Sequence, residues 1–303
     1  GVAWNTASDA ILAAGTELLI DQPDRLDGVT CVGVDEHVWR HTRHGDQYVT
    51  VIIDLTPTRT KTGTSRLLAV VEGRSKQAFK SWLEAQTDSF RDQVEIVAMD
   101  GFTGYKSAAV EAIDSVITVM DPFHVVALVG DKLDHCRQRV QQDTLGHRGR
   151  SGDPLYGIRR VARTRAALLT TKQQHRLAKV LADQRHVAFE VTWSVYQEVI
   201  DAYQAPDPVE GKKIMTQLID SLKTGVPTGL DELRSLGQTL HRRRADILAF
   251  FDHPGTSNGP TEAVNGLLEH LRGTARGFRN IVNYVARCLL DAGGFRPLIH
   301  CLL

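Results

Sequence analysis

The chain has 303 residues, and its 36 Lys and Arg side chains balance 36 Asp and Glu side chains, so the formal net charge is zero. This length allows a substantial core in one large domain or two. The balanced charge argues against a protein that binds polyanions over its whole surface, although local basic patches remain possible. No apolar run could span a membrane, and the start does not resemble a signal peptide. The cysteines lie far apart without paired metal-ligand spacing, so a soluble, intracellular protein with reduced thiols is predicted: Cys31, Cys136, Cys288 and Cys301.

The first half of the chain alternates between strand and helix signals. After a helical pattern over the first residues, β-branched and apolar runs predict five strands, of which the first two form a hairpin around a polar turn at 44–46. The predicted strands cover residues 29–41, 48–53, 67–71, 94–99 and 116–120. The predicted helices run from an N-cap at Ser75 to about Ala85, over 103–112, and from Pro122 to about Gln142.

Strand signals disappear between about residues 143 and 255. Apolar and aromatic side chains recur there at helical spacing, so an all-helical insertion is predicted. The clearest stripes are Trp193, Tyr196, Ile200 and Tyr203, and then Leu230, Leu233, Leu236 and Leu240. The aromatic stripe is interpreted as core, and stacking of Trp193 on an unpaired base is the alternative.

Three carboxylates stand out by their positions. Asp35 and Asp100 each follow an apolar strand-like run, and Glu262 begins a late helix after Ser257–Asn258–Gly259–Pro260. A carboxylate at a strand end lies at the rim of a sheet, where a ligand can approach without opening the core. Three such groups are what a two-metal phosphodiester-cutting site requires, and hard oxygen ligands suit Mg²⁺ or Mn²⁺. Taken singly, an aspartate after a strand is more simply a turn or cap residue.

Glu262 has its own structural alternative. Pro260 suits the first helical position, and a glutamate two residues later can cap the backbone. The apolar stripe of this helix is predicted to lie roughly opposite Glu262, which argues against a packing role. That stripe comprises Val264, Leu267, Leu268 and Leu271. The polar side of the helix, with Asn265, Gly266 and Glu269, fits a metal cleft and equally fits solvent exposure.

Several neighbours could support this site. Glu36 and His37 follow Asp35 directly and point to alternate sides of the strand. Asp121 followed by Pro122 is fully explained as the start of a helix, whereas His124 could contact the scissile phosphate or orient a metal ligand.

Arginines form two groups that could contact DNA phosphates. Between Arg137 and Arg165 there are eight arginines against two acidic residues, which predicts either a phosphate-contacting stripe or a solvated helix face. The candidates in this stripe are Arg137, Arg139, Arg148, Arg150, Arg159 and Arg160. The second group follows Glu262 and comprises Arg272, Arg276 and Arg279.

Four stretches resemble the catalytic region of bacterial insertion-sequence transposases of the ISL-three family, a branch of the DDE superfamily. These stretches are Val32–Glu36, Met99–Tyr105, Asp121–Val126 and Ser257–Asn280. They span nearly the whole chain. The resemblance implies an α/β fold with a ribonuclease-H-like mixed sheet, dependence on two divalent ions (Mg²⁺ or Mn²⁺), and transposon ends as substrate. It also implies that His124 lies near the active centre.

The resemblance also implies a domain organisation. Residues 1–27 are expected to be a helical remnant of an N-terminal DNA-binding region, so that the chain is a fragment or truncated product. The catalytic core is expected in two parts, 28–142 and 256–303, with the helical insertion 143–255 between them.

The leading interpretation is a cytoplasmic DDE transposase of the bacterial nucleoid. It would nick DNA at insertion-sequence terminal repeats and join the freed 3′-hydroxyl to target DNA, acting as at least a dimer on paired ends. One alternative is a ribonuclease-H-like nuclease that cuts without joining. The other is a catalytically silent, transposase-derived DNA-binding protein.

Overall fold

A five-stranded mixed sheet organises the first part of the molecule. The computed structural model describes residues 3–41 and 47–295. Its strands are β1 (Cys31–Val38), β2 (Tyr48–Asp54), β3 (Arg66–Glu72), β4 (Ile96–Met99) and β5 (Ile117–Met120). Their order is β3-β2-β1-β4-β5, with antiparallel β1–β2 and β2–β3 pairs and parallel β1–β4 and β4–β5 pairs. The predicted α/β sheet is confirmed, while the predicted turn at 44–46 lies outside the described residues.

Helices surround the sheet and make up the middle of the chain. In the first part they are α1 (Trp4–Gly15), α2 (Thr56–Thr60), α3 (Lys76–Glu84), α4 (Asp88–Gln93) and α5 (Thr103–Ala112). The middle contains α6 (Pro122–Leu145), α7 (Arg159–Ala162), α8 (Thr171–Leu181), α9 (Val187–Gln204), α10 (Pro208–Thr224), α11 (Asp231–Arg242) and α12 (Arg244–Asp252). The last two are α13 (Gly259–Thr274) and α14 (Ile281–Ala292). Short π or 3-10 turns cover Thr16–Ile20, Tyr156–Ile158, Ala166–Leu168 and Gln184–His186.

The two faces of the sheet carry different helices. Side chains of a strand alternate between faces, so Val32 and Val34 of β1 join the apolar core under α3 and α5. The opposite face of β1, from Cys31 through Gly33 and Asp35 to His37, is also buried, and α13 packs there. An acidic side chain in the middle of a buried face is costly unless it is hydrogen-bonded. This burial makes Asp35 the natural starting point for the site.

The chain forms two compact units. The described residues up to Asp121 and from His253 onward make one unit, and Pro122–Asp252 makes the other. The predicted boundary fell after residue 142, but α6 belongs to the second unit, where it packs against α9 and α11. Residues 143–255 contain helices and connecting turns without a strand.

The second unit has the predicted leucine core. Leu233, Leu236 and Leu240 of α11 are buried, as is Tyr196 of α9. Trp193 is only half-buried.

Helix α1 and the π turn that follows it pack within the sheet-bearing unit. Leu19 lies in a small apolar cluster with Leu290 of α14 and Phe295, and Leu12 packs against it. None of the helices in the described ranges is long and apolar enough to cross a membrane.

The three cysteines in the described ranges are buried free thiols. Burial raises the pKa of both Cys31 and Cys288 to about 12, which makes these thiols poor nucleophiles and poor metal ligands at neutral pH. Cys301 lies outside the described residues.

Candidate active site

Three aspartates occupy equivalent positions on three adjacent parallel strands. Val34 of β1 pairs with Met99 of β4, and Met99 pairs with Met120 of β5. The next residue on each chain segment is therefore an aspartate at the same level of the sheet: Asp35, Asp100 and Asp121. Because neighbouring strands lie about 4.8 Å apart, this register brings the three aspartates into one row. Sequence reasoning identified Asp35 and Asp100 as site residues and assigned Asp121 to a helix cap.

Asp35 is held at both carboxylate oxygens. Its side chain is 8% exposed; Oδ1 accepts a hydrogen bond from the Glu36 N–H at 2.8 Å, and Oδ2 accepts one from Asn265 Nδ2 at 3.1 Å. Asp100 is half-buried, and its Oδ1 accepts the Phe102 N–H at 2.8 Å. Both aspartates are thus oriented by backbone donors, and Asp35 is joined directly to α13.

The electrostatics of Tyr105 place these acids near one another. Burial raises the pKa of the Tyr105 phenol above its usual range, and the negative charges of Asp100, Glu36 and Asp35 raise it further. All three carboxylates therefore act on a single buried phenol, whose oxygen lies 3.4 Å from Thr50 Oγ1.

Asp121 fastens the start of α13 to the sheet. Its Oδ1 accepts hydrogen bonds from the Asn258 N–H at 2.7 Å and the Ser257 hydroxyl at 3.0 Å. Asn258 Nδ2 in turn donates to the Val34 carbonyl at 3.2 Å, and the Thr261 hydroxyl bonds to Asn258 Oδ1. This anchoring role was missed, although the Ser–Asn–Gly–Pro sequence before the helix signalled a constrained turn.

Gly33 allows this close approach. A Cβ atom there would lie 2.6 Å from Asn258 Oδ1 and 2.8 Å from Thr261 Oγ1. Glycine inside a strand commonly marks such a contact. Gly33 therefore lets the first turn of α13 rest on β1 two residues before Asp35.

Glu262 lies in this first turn, three residues before Asn265. It is exposed and has no hydrogen bond or ion pair with any other described residue, so the capping alternative is not observed. The buried side of α13 is formed by Thr261, Val264 and Leu268. Leu267 is 49% exposed, so its place in the predicted apolar stripe was wrong. At 100° per residue, Glu262 lies roughly 130° from the centre of the buried side and about 60° from Asn265, so it points away from the core on the side of the helix that carries Asn265.

Further along α13, Glu269 pairs with Arg272 and lies near His37. Arg272 Nε donates to Glu269 at 3.1 Å and holds the pKa of this carboxyl below its usual range. Burial lowers the pKa of His37 despite the opposing effect of Glu269, so the neutral imidazole is favoured. Glu269 is therefore already engaged by a cation, whereas Glu262 is not.

The site offers hard oxygen donors for a cation. Among the described residues no three His, Cys, Asp or Glu side chains are gathered closely enough to hold a metal ion. Uncompensated carboxylates repel one another, which favours such an open arrangement. Asn265 Oδ1 is buried and lacks a hydrogen-bond partner in the described structure, and amide oxygens are ligands of hard cations. The donor chemistry therefore fits Mg²⁺ or Mn²⁺.

Glu36 and His124, the other predicted support residues, have different side-chain partners. Glu36 is exposed and pairs with Arg74 at 3.3 Å, and the Arg74 guanidinium covers the Tyr48 ring. His124 belongs to the second unit, on the first turn of α6, where its ring meets that of Phe123 edge-on.

Much of the arginine stripe is paired within the second unit. Arg137 is only 7% exposed and binds Asp134, Gln141 and the Leu155 carbonyl, so it cannot reach DNA without local unfolding. Arg139 is bound by Glu232, which raises its pKa above the usual range, and Arg159 pairs with Asp134 at 3.2 Å. The arginines that are exposed without a side-chain partner in the described structure are Arg148, Arg150 and Arg160.

Comparison with known proteins decides the family. Residues 32–288, which include the aspartate row and α13, match the sequence model of the ISL-three transposases of the DDE group. The chain belongs to this family.

Two relatives agree with this placement. Both carry the description "Transposase for insertion sequence element IS1557", from Mycobacterium tuberculosis strains CDC 1551 / Oshkosh and ATCC 25618 / H37Rv. Each is 26% identical over 324 aligned positions, which cover 98% of this chain and 68% of the relative. As an ISL-three transposase, the chain is a member of a group of enzymes that cut and join DNA.

Removing the Asp121 carboxylate tests whether it holds the start of α13 against the sheet in this transposase. Asp121→Ala leaves the buried Asn258 N–H without its acceptor, so we expect a loss of about 1–3 kcal/mol in the free energy of unfolding, measured by urea denaturation. Asp114→Ala, at an exposed aspartate, is the control and should change stability by less than about 0.5 kcal/mol. Equal effects of the two substitutions would show that Asp121 does not anchor the helix.

Proposed function

We propose that this transposase cuts DNA at insertion-sequence ends and joins the resulting 3′-hydroxyls to target DNA, using Asp35, Asp100 and Glu262 as metal-binding carboxylates. The observation that carries the proposal is the Asn265–Asp35 hydrogen bond, which ties the Glu262 helix to β1 at the first aspartate. Asp100 lies at the same level of the adjacent parallel strand. Glu262 is one turn from the contact and is not committed to another described side chain.

The strand order supports a ribonuclease-H-like core. Three antiparallel strands are followed by two parallel strands that are reached through helices, and the row of aspartates lies where the parallel pairing of β1, β4 and β5 ends. Open α/β sheets commonly bind ligands outside the carboxyl ends of their strands. The position of the row therefore agrees with a reaction centre at this edge of the sheet.

A pair of Mg²⁺ or Mn²⁺ ions would activate the attacking oxygen and stabilise the leaving oxygen when bound. Asp35, Asp100 and Glu262 would hold the ions, with Asn265 Oδ1 as a neutral donor beside them. Cleavage and joining are both in-line attacks on phosphorus, by water and by a 3′-hydroxyl respectively, so one set of side chains can serve both steps. Asn265 orients Asp35 through Nδ2, and the Glu36 N–H holds the other oxygen.

DNA contacts are proposed at two places. Near the site they involve Arg272, Arg276 and Arg279, and in the second unit the exposed Arg148, Arg150 and Arg160, with Arg159 beside them. Because transposition brings two DNA ends together, we also propose at least a dimer on DNA.

The decisive experiment incubates the protein with labelled terminal repeats of its insertion sequence and Mg²⁺, and maps cut and joined products. Cutting followed by joining supports the transposase proposal. Cutting without joining would identify the nuclease alternative, and binding without a metal-dependent reaction would identify the silent relative.

Charge reversal at Arg159 and Arg160 tests the second-unit contact. The double Arg→Glu variant should weaken DNA binding about tenfold for all sequences, and each lost phosphate contact should lower the slope of log affinity against log salt by about 0.9. Fluorescence anisotropy over a salt series measures both quantities.

Arg234→Glu, at an exposed arginine of the same unit, is the matched control. Unchanged affinity and salt slope in the Arg159/Arg160 variant would show that this stripe is only a solvated surface.

A further inference from the structure

A basic cavity lies in the sheet-bearing unit where the end of β1 approaches the end of α13. Its volume is about 560 Å³, and no acidic side chain is among the described residues that line it. The basic side chains around it are Arg40, His41, Arg272, Arg276 and Arg279, of which Arg272 is paired with Glu269. Since the whole chain has no net charge, this concentration of cations is a local feature.

Arg276 and Arg279 lie in and directly after a tight turn that follows α13. Arg276 has φ of 55° and Gly277 has φ of 90°, both in the left-handed region. Left-handed residues commonly end a helix, and here they follow α13 and lead to Arg279, which also lines the cavity. Among the described residues neither Arg276 nor Arg279 has an ion-pair partner, and both are exposed. Their charges are therefore available to an anion.

An aromatic cluster underlies the arginines. The Tyr284 ring lies 5.8 Å from the Trp39 ring and 5.1 Å from the Phe278 ring. The Arg40 guanidinium lies over Trp39, 4.6 Å from the ring centre. Trp39 is buried, whereas Phe278 is half-buried and lines the cavity. The cavity thus combines phosphate-binding guanidiniums with a flat apolar surface, which is the chemistry that binds an unpaired nucleotide.

The distance between the cavity and the proposed catalytic carboxylates follows from the lengths of β1 and α13. Along β1, four residues separate Asp35 from Trp39, or about 13 Å at 3.3 Å per residue. Along α13, ten residues separate Glu262 from Arg272, or about 15 Å at 1.5 Å per residue. A stacked DNA strand advances about 3.4 Å per base step, so both paths correspond to at most about four nucleotides, and to fewer where the strand is unpaired and extended.

We propose that this cavity holds an unpaired nucleotide of the DNA strand within about four nucleotides of the bond that is cut, with its phosphate on Arg276 and Arg279 and its base against Phe278. This inference rests on the proposed function, because the reach is measured from Asp35 and Glu262. A base paired within a duplex cannot enter a cavity of this kind, since its face is covered by stacking. The site therefore selects DNA that is locally opened near the cut.

The test measures binding of two labelled DNAs, a fully paired duplex and the same duplex with an unpaired strand at one end. The wild-type chain should prefer the partly unpaired DNA by about tenfold, the range expected for stacking one base. Phe278→Ala should abolish this preference, and Arg276→Ala with Arg279→Ala should weaken binding of the unpaired DNA more than binding of the duplex. Val282→Ala, at an exposed side chain on α14, is the control and should keep the preference.

A fluorescent base analogue placed at successive unpaired positions gives a second readout. Its emission should be quenched at one position within about four nucleotides of the cut, and this quenching should disappear in Phe278→Ala. Should Phe278→Ala fail to fold by circular dichroism, Phe278→Leu, which keeps an apolar side chain but removes the flat ring, provides the same comparison.

Equal losses on both DNAs with unchanged quenching would overturn the proposal and reduce the cavity to a contact for duplex phosphates. The comparison of the two DNAs needs no catalysis, so its outcome does not depend on the assignment of Glu262; only the position of quenching refers to the cut.

Discussion

Glu262→Gln is expected to lower DNA cleavage and strand transfer by several orders of magnitude while leaving the fold intact. The amide is nearly isosteric with the carboxylate, and the side chain is exposed without a hydrogen bond to another described residue, so stability should barely change. The negative charge that a divalent ion requires is lost, and both reaction steps depend on the same ions. Gel assays of cut and joined products measure the reaction, and thermal unfolding measures stability.

DNA binding separates this effect from a general loss of function. Removing a negative charge near the scissile phosphate lowers the repulsion between protein and DNA, so affinity should stay the same or rise. A variant that folds and binds DNA but does not cut it would localise the defect to chemistry.

Glu269→Gln is the matched control on the same helix. Glu269 is already paired with Arg272, and its substitution should retain substantial cleavage. Activity in Glu262→Gln together with inactivity in Glu269→Gln would show that the wrong glutamate has been assigned. Activity in both variants would place the third metal ligand elsewhere in the chain.

Gly33→Ala is expected to displace the start of α13 and to reduce both stability and cleavage. The added methyl group would lie 2.6 Å from Asn258 Oδ1, 2.8 Å from Thr261 Oγ1 and 2.9 Å from Ile53 Cγ1. These partners are buried, and Asn258 is bonded to the backbone of β1, so they cannot rotate away. Overpacking of this kind costs about 1–3 kcal/mol, measurable by urea denaturation.

Cleavage should fall further than this loss of stability explains. The helix that must move carries both Glu262 and Asn265, and Asn265 orients Asp35 at 3.1 Å. Gly266→Ala is the control, since a Cβ there has no heavy atom within 4 Å and alanine stabilises a helix by about 0.5–1 kcal/mol over glycine. A folded Gly33→Ala variant with wild-type activity would show that the contact at Gly33 does not position the site.

Local sequence patterns were sufficient to predict the strands, most helices and the strand-end position of Asp100, whereas Asp35, also predicted at a strand end, lies inside β1. Alternation of apolar residues marks a strand wherever it lies, and Thr103–Ala112 forms a helix with the predicted bounds. The N-cap at Ser75 was also predicted correctly, because its hydroxyl accepts the Ala78 N–H within one turn. Each of these features depends on residues close together in the chain.

Contacts between distant residues decided the rest. The arginine stripe appeared unopposed because only Asp143 and Asp153 were counted within it. Glu232, far along the chain, pairs with Arg139, and Asp134, three residues before the counted range, pairs with Arg137. Spacing along a helix could not show which side of α13 would face β1, and Leu267 is exposed as a result.

The anchoring role of Asp121 and the basic cavity likewise depend on residues far apart in the chain. Asp121 meets Asn258 across 137 positions, and Arg40 and Arg276 line one cavity. Periodicity and composition describe a residue's neighbours in the chain, whereas charge pairing and steric fit depend on its neighbours in space. The sequence by itself therefore determined the elements and the candidate carboxylates, and the tertiary structure decided which side chains hold them in place.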